Sequence, residues 1–183
     1  MASSLWAKVE EFQKKIMEMN PKFPKEAFIS PQKFHLTIAL VDLSGTMPAG
    51  FHQAISSVLA PKALSIVISG IDILKGTPKE CDLLYARIEC SELQDFGSKV
   101  QLALAKMGML LDFRPIVWHA TICNSRYNSN RAFDVSAILN SPLKDFAFGT
   151  ATVDQIHASC LLERADPQTG YYKNICTWLL QAR

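Results

Sequence analysis

"KFHLTIALV" occupies Lys33–Val41, and "VWHATICNS" occupies Val117–Ser125. Each stretch sets a histidine and a threonine two residues apart inside an otherwise apolar run. Side chains alternate between the two faces of a strand. His35 and Thr37 therefore share one face, with Phe34, Leu36 and Ile38 on the other. His119 and Thr121 likewise oppose Trp118, Ala120 and Ile122. Both stretches read as strands, Phe34 to about Val41 and Val117 to Cys123, with one core face and one polar face.

Chance does not explain the repetition. The chain has four histidines and eight threonines in 183 residues. Scattered at random they give roughly 0.17 His-x-Thr matches, and two matches in roughly 1–2% of such sequences. A single motif would read as a satisfied sheet histidine; two favour chemistry.

Outward from the motifs, the pattern alternates helix and strand. Leu5, Val9, Phe12 and Ile16 recur at helical spacing, so a helix is expected over about Ser3–Met19, stopped by "NPKFP". "MPAGFHQAISSVLAPKAL" reads as a second helix ending at Pro61. "LSIVISGIDIL" and "LLYARIEC" read as strands across a "KGTPKE" turn. "ELQDFGSKVQLALAKMGM" reads as a helix with Phe96, Val100, Leu104 and Met107 on one stripe. "SRYNSNRAFDVSAILN" is a loop followed by one or two helical turns. "FAFGTATVDQIHASCLLE" is expected as one long strand, bulged near Gly149, joined by a "RADPQTG" hairpin to the closing strand "YYKNICTWLL".

The second half thus runs strand, helix, motif strand, helical segment, strand, strand. The first half repeats the unit without its opening strand. This order suggests a duplication within one domain, residues 1–183, with two α+β lobes, about 1–75 and 76–183, related by a pseudo-twofold. The first strand of the first lobe is expected to be missing.

Composition sets bounds. Hydrophobic residues make up 49% and charged residues 20%, as in a globular protein. A net charge of +2 is too mild to argue for nucleic acid or membrane by itself. Cys81, Cys90, Cys123, Cys160 and Cys176 are odd in number and lack CxxC spacing, so they read as buried thiols in a reducing compartment. The N-terminus has neither a secretory h-region nor the glycine that myristoylation needs, and no apolar run spans a bilayer. The expected location is cytoplasmic or nuclear, with no membrane partner.

Two histidines facing one cleft suit acid–base work, because one can accept a proton while the other donates. Phosphodiester cleavage uses both roles, and the threonine hydroxyls can donate to the phosphate oxygens. The candidate catalytic residues are therefore His35, Thr37, His119 and Thr121. This chemistry requires no metal and no cofactor, and none is expected. Lys33 shares the face of His35, and Arg126 and Tyr127 follow the second motif; these three are candidate phosphate or base contacts. His52 reads as a solvated or half-buried helix residue and His157 as a structural strand residue. There is no nucleophile elbow, P-loop or GxGxxG.

"FHLTIAL" and "WHATICN" resemble the two His-x-Thr/Ser signatures of the 2H phosphoesterase superfamily, the LigT-like proteins. "FISPQKFHLTIAL" and "DQIHASCLLERADPQTGYYKNICTWLL" resemble more narrowly the branch of the A-kinase anchoring protein nucleotide-binding domain and the activating signal cointegrator subunit. The resemblance implies a bilobal LigT-like α+β fold, two pseudo-symmetric lobes of antiparallel sheet plus helices around a central cleft. It implies cleavage or binding of 2′,3′-cyclic or 2′,5′-linked nucleotides or RNA ends, without DNA. The runner-up function is a non-catalytic AMP- or RNA-binding module. That family usually opens with a short strand before its first helix, whereas this chain starts in the helix. The RNA-binding KH module of the cointegrator proteins and any kinase-anchoring extension are absent from the sequence.

Overall fold

The computed structural model describes residues 2–42, 48–58, 63–112, 114–160 and 166–180. Helix α1, Ala2–Met19, buries Val9, Phe12 and Ile16 completely, the stripe its periodicity expects. Phe12 meets Phe146 and Phe148, each at 5.1 Å between ring centroids, which fixes the helix against the sheet.

That sheet has four antiparallel strands in the order β3-β2-β1-β4. They are β1 Leu64–Gly76, β2 Cys81–Glu89, β3 His119–Asn124 and β4 Ala147–Val153. The sheet curls as a half-barrel. One face carries Ile66, Ile68, Ile71, Leu84, Ala86, Ala120 and Phe148, all buried. The other face is open, as antiparallel sheets allow. Helix α2, Phe51–Ser56, lies against α3, Ser91–Lys106; α4, Ser136–Leu139, is a single turn. A second sheet pairs β5, Gln155–Cys160, with β6, Lys173–Leu179. The fold is α+β.

Three expectations change. Phe34–Val41 is extended but is not a continuous strand: it makes isolated antiparallel bridges, Leu36 to Ala120 and Val41 to Leu110. The Gln101 side chain instead donates to the Ile38 carbonyl, at 3.2 Å. The second helix is only six residues long; the flanks expected to belong to it include 47 and 59–62, which lie outside the described residues. The long strand after Phe146 breaks at Asp154 into β4 and β5, which belong to different sheets. The bulge near Gly149 is present, since pairing skips from Gly149 to Ala147, and Gly149 has φ 109°. β1 sits inside the four-stranded sheet, and the β5–β6 ribbon comes from the C-terminal end. The "RADPQTG" hairpin lies partly outside the described residues.

Candidate active site

The segment leading into the first motif runs beside β3. Phe28 bridges Cys123, and the Ile29 amide donates to the Ile122 carbonyl at 2.8 Å. A short 3-10 turn over Pro31–Lys33 follows, after which Leu36 bridges Ala120. Phe34 points into the α1–β4 aromatic cluster, 6.4 Å from Phe148. With Phe34 and Leu36 turned to the core, His35 and Thr37 take the opposite face.

Leu36 and Ala120 are the central residues of the two motifs. An antiparallel bridge between them sets His35 opposite Thr121 and Thr37 opposite His119, with a local twofold between the two pairs. The structure thus brings all four candidate catalytic residues onto one patch. Strand pairing alone, without any long loop, makes the juxtaposition.

Both imidazoles are oriented in the same way. His35 Nδ1 lies 2.6 Å from the Lys33 carbonyl, and His119 Nδ1 lies 2.6 Å from the Val117 carbonyl. A carbonyl only accepts, so each Nδ1 carries the proton and each Nε2 is left for chemistry. Thr37 Oγ1 is 3.3 Å from His35 Nε2. Burial depresses the His35 pKa; the bond to Lys33 opposes this, and the nearby His119 lowers it further. His35 is therefore neutral at pH 7, with a lone pair on Nε2.

Aromatic rings flank both histidines. His35 meets Tyr172 at 5.3 Å and Tyr171 at 6.3 Å, both edge-on. His119 meets Tyr85 at 5.6 Å. The three candidate contacts behave differently. The Lys33 ammonium lies 5.5 Å from the centre of the Tyr172 ring and 6.0 Å from that of Tyr127. The Tyr127 and Tyr172 hydroxyls are 3.4 Å apart. Arg126 is exposed within the short 3-10 turn Ser125–Asn128 that follows β3, and its backbone amide donates to Asn124 Oδ1. Lys33 and Tyr127 thus join one cluster, with Arg126 at its edge.

Burial pushes the Tyr172 hydroxyl pKa well up, so it remains a donor. Tyr85, Tyr171 and Tyr172 were not among the sequence candidates. Tyr85 was legible, since "YAR" sets Tyr85 and Arg87 two apart on a strand whose intervening Ala86 is fully buried. Tyr172 was not, because its approach to His35 joins residues 137 positions apart across separate elements.

The other histidines stand aside. His52 stacks on Trp178 at 5.2 Å, and its carbonyl accepts from Trp178 Nε1 at 3.3 Å. His157 meets Tyr171 at 5.6 Å and Gln155 Oε1 at 3.2 Å.

The chain was compared with known proteins. Activating signal cointegrator 1 complex subunit 1 of Mus musculus is 23% identical over 167 residues, which cover 72% of this chain and 47% of that protein. The chain thus spans about half the length of this curated relative. TT0787 of Thermus thermophilus superposes with a TM-score of 0.67 at 13% identity, covering 98% of this chain and 93% of that one. E. coli LigT superposes with a TM-score of 0.59 at 17% identity, covering 93% and 92%. At such identities the structures speak for the fold alone. The family model of the AKAP7 2'5' RNA ligase-like domain matches residues 1–180, and the chain belongs to that family.

Proposed function

We propose that the chain is a metal-independent phosphodiesterase acting on 2′,3′-cyclic or 2′,5′-linked nucleotides or RNA ends. The observation that carries this reading is the Leu36–Ala120 bridge, which sets two His-x-Thr pairs face to face. Neutral His35 takes a proton from water through Nε2 while the water oxygen bonds to phosphorus. The bond from phosphorus to the departing sugar oxygen breaks, and His119, entering the step with a second proton on Nε2, delivers that proton to the oxygen. Thr37 and Thr121 donate to the non-bridging oxygens, whose charge grows in the transition state. Family membership supports a phosphoesterase or ligase type of nucleotide chemistry.

A second reading is a module that holds a nucleotide without turning it over. The Lys33–Tyr127–Tyr172 cluster favours it, since a cation on aromatic rings beside His35 can hold a phosphate and a base. LigT structures with 3'-AMP and with NADP+ support nucleotide binding by this fold. Incubation with a panel of 2′,3′-cyclic and 2′,5′-linked nucleotides in EDTA separates the two readings. Cleavage in EDTA upholds the first; binding without cleavage leaves the second.

A further inference from the structure

β2 places two side chains beside the second motif. Tyr85 pairs with Thr121, and Arg87 pairs with His119. Between them Ala86 pairs with Ala120 and turns to the core, so Tyr85 and Arg87 share the open face with the motif. Along one row of that face stand Thr37, His119 and Arg87.

Opposite Arg87 the sheet is irregular. Pairing between β1 and β2 passes from Ile68–Ile88 to Ile71–Ala86, leaving Ser69 and Gly70 opposite the one residue between Ala86 and Ile88. Such a bulge re-aims a side chain. Gly70 has φ 71°, and a Cβ there would lie 2.1 Å from Arg87 Nη2 and 2.7 Å from Cζ. The positive φ favours glycine, and its missing Cβ leaves the room in which the guanidinium lies.

Little else holds the guanidinium. Nε donates to the Ser69 carbonyl at 3.4 Å, and Nη2 donates to Asp145 Oδ1 at 3.3 Å. Both bonds are long, and the Asp145 side chain is 79% exposed. Two of the five guanidinium N–H donors are engaged among the described residues, leaving three for another acceptor. With strands about 4.8 Å apart, the guanidinium, which reaches toward β1, lies roughly 5–10 Å from the strand of His119. That is too far to serve the reacting phosphorus, and near enough for a neighbouring group of the same ligand.

We propose that Arg87 is a specificity residue: it binds a second phosphate of the ligand, beyond the diester on the His119 side, and Asp145 is the counter-ion it gives up. The ligand class is a nucleotide with two separate phosphates, such as a nucleoside bisphosphate or a phosphorylated oligonucleotide end. Arginine suits the task because its planar fork matches phosphate oxygens in pairs. The inference rests on the phosphodiester reading of the histidine pair and deepens it.

The test is calorimetric titration with adenosine 3′-monophosphate and adenosine 3′,5′-bisphosphate. The unaltered protein should bind the bisphosphate about ten-fold tighter. Arg87→Gln should abolish that preference and leave monophosphate affinity within about two-fold, and Arg87→Lys should keep part of it. Asp145→Asn, which touches neither motif, should widen the preference by freeing the guanidinium. Equal binding of both ligands by the unaltered protein overturns the anchor alone. So does an equal loss of both ligands in Arg87→Gln, or a weaker bisphosphate complex in Asp145→Asn. If neither ligand binds the unaltered protein, the phosphodiester reading falls and the anchor falls with it.

Discussion

Trp118 rests on α3 at Gly97: a Cβ added to this glycine would lie 2.6 Å from Trp118 Cζ2 and 2.6 Å from Ile116 Cδ1. The indole Nε1 also donates to Gln94 Oε1 on the same helix, at 3.2 Å. Trp118 precedes His119, the first residue of β3, so this contact anchors the approach to the second motif on α3. Gly97→Val combines overpacking, which costs about 1–3 kcal/mol, with a β-branched residue inside a helix. Urea denaturation should show a loss in that range, with altered Trp118 emission and weaker nucleotide binding. A variant as stable as the parent would show that the contact is slack.

His35 should make stability pH-dependent. Burial lowers its folded pKa below the ordinary imidazole value, so between the two values the unfolded chain binds more protons than the folded one. Stability then rises with pH through that window. It is present in full above about pH 6.5 and is lost as pH falls toward the lowered value. His157 is shifted in the same direction, chiefly by burial, with the Asp154 charge opposing. His35→Gln should therefore remove part of the acid-side loss, not all of it. Urea midpoints from pH 5 to pH 8 check this, and identical slopes in parent and variant would contradict it.

Tyr172 supplies part of that burial, with its ring 5.3 Å from His35. Tyr172→Ala opens the imidazole to water, so the His35 pKa should rise toward its ordinary value. Tyr172→Phe keeps the ring and should leave the His35 titration nearly in place while losing the contact with Tyr127. Proton NMR of the imidazole Cε1–H resolves both. An unmoved titration in Tyr172→Ala would assign the shift to other neighbours.

On the phosphodiesterase reading, His35→Ala and His119→Ala should each reduce turnover by about 10²–10⁴-fold. The double variant should fall well short of the product of the two losses, because acid and base act in one step. Thr37→Val and Thr121→Val keep the shape and remove a donor, and each should cost about 1–3 kcal/mol of nucleotide affinity. Turnover unaffected by one histidine change would remove that residue from the mechanism. Calorimetry unaffected by both valines would reduce the threonines to structural residues.

Much of this was legible in the chain. The α1 and α3 stripes follow from periodicity, and the strands read from "LSIVISGIDIL" and "LLYARIEC", seen as Leu64–Gly76 and Cys81–Glu89, follow from composition; both signals depend only on neighbouring residues. Alternation within each motif also placed His35 with Thr37, and His119 with Thr121, on the face away from the core. Where the reading failed, partners decided. The run from Phe34 looked like a strand by composition, yet a strand needs a neighbour to pair with along its length, and here pairing is confined to isolated bridges at Leu36 and Val41, with the Ile38 carbonyl taken by the Gln101 side chain. The break at Asp154 was equally silent, because the residues on either side suit a strand and only the sheet each half joins tells them apart.

The sequence by itself determined that the polar pair occurs twice, which residue types it offers, and that each pair shares a face. Strand alternation is a local property and needs no third dimension. Only the tertiary structure decided that the two pairs face each other, because the register of Leu36 against Ala120 depends on how segments 84 residues apart are packed by α1, α3 and β4. It alone brought Tyr172 to His35, and it alone set the β1 bulge opposite the arginine beside His119. Burial and mutual proximity, which depress the His35 pKa, are properties of that packing and are written in no single stretch of chain.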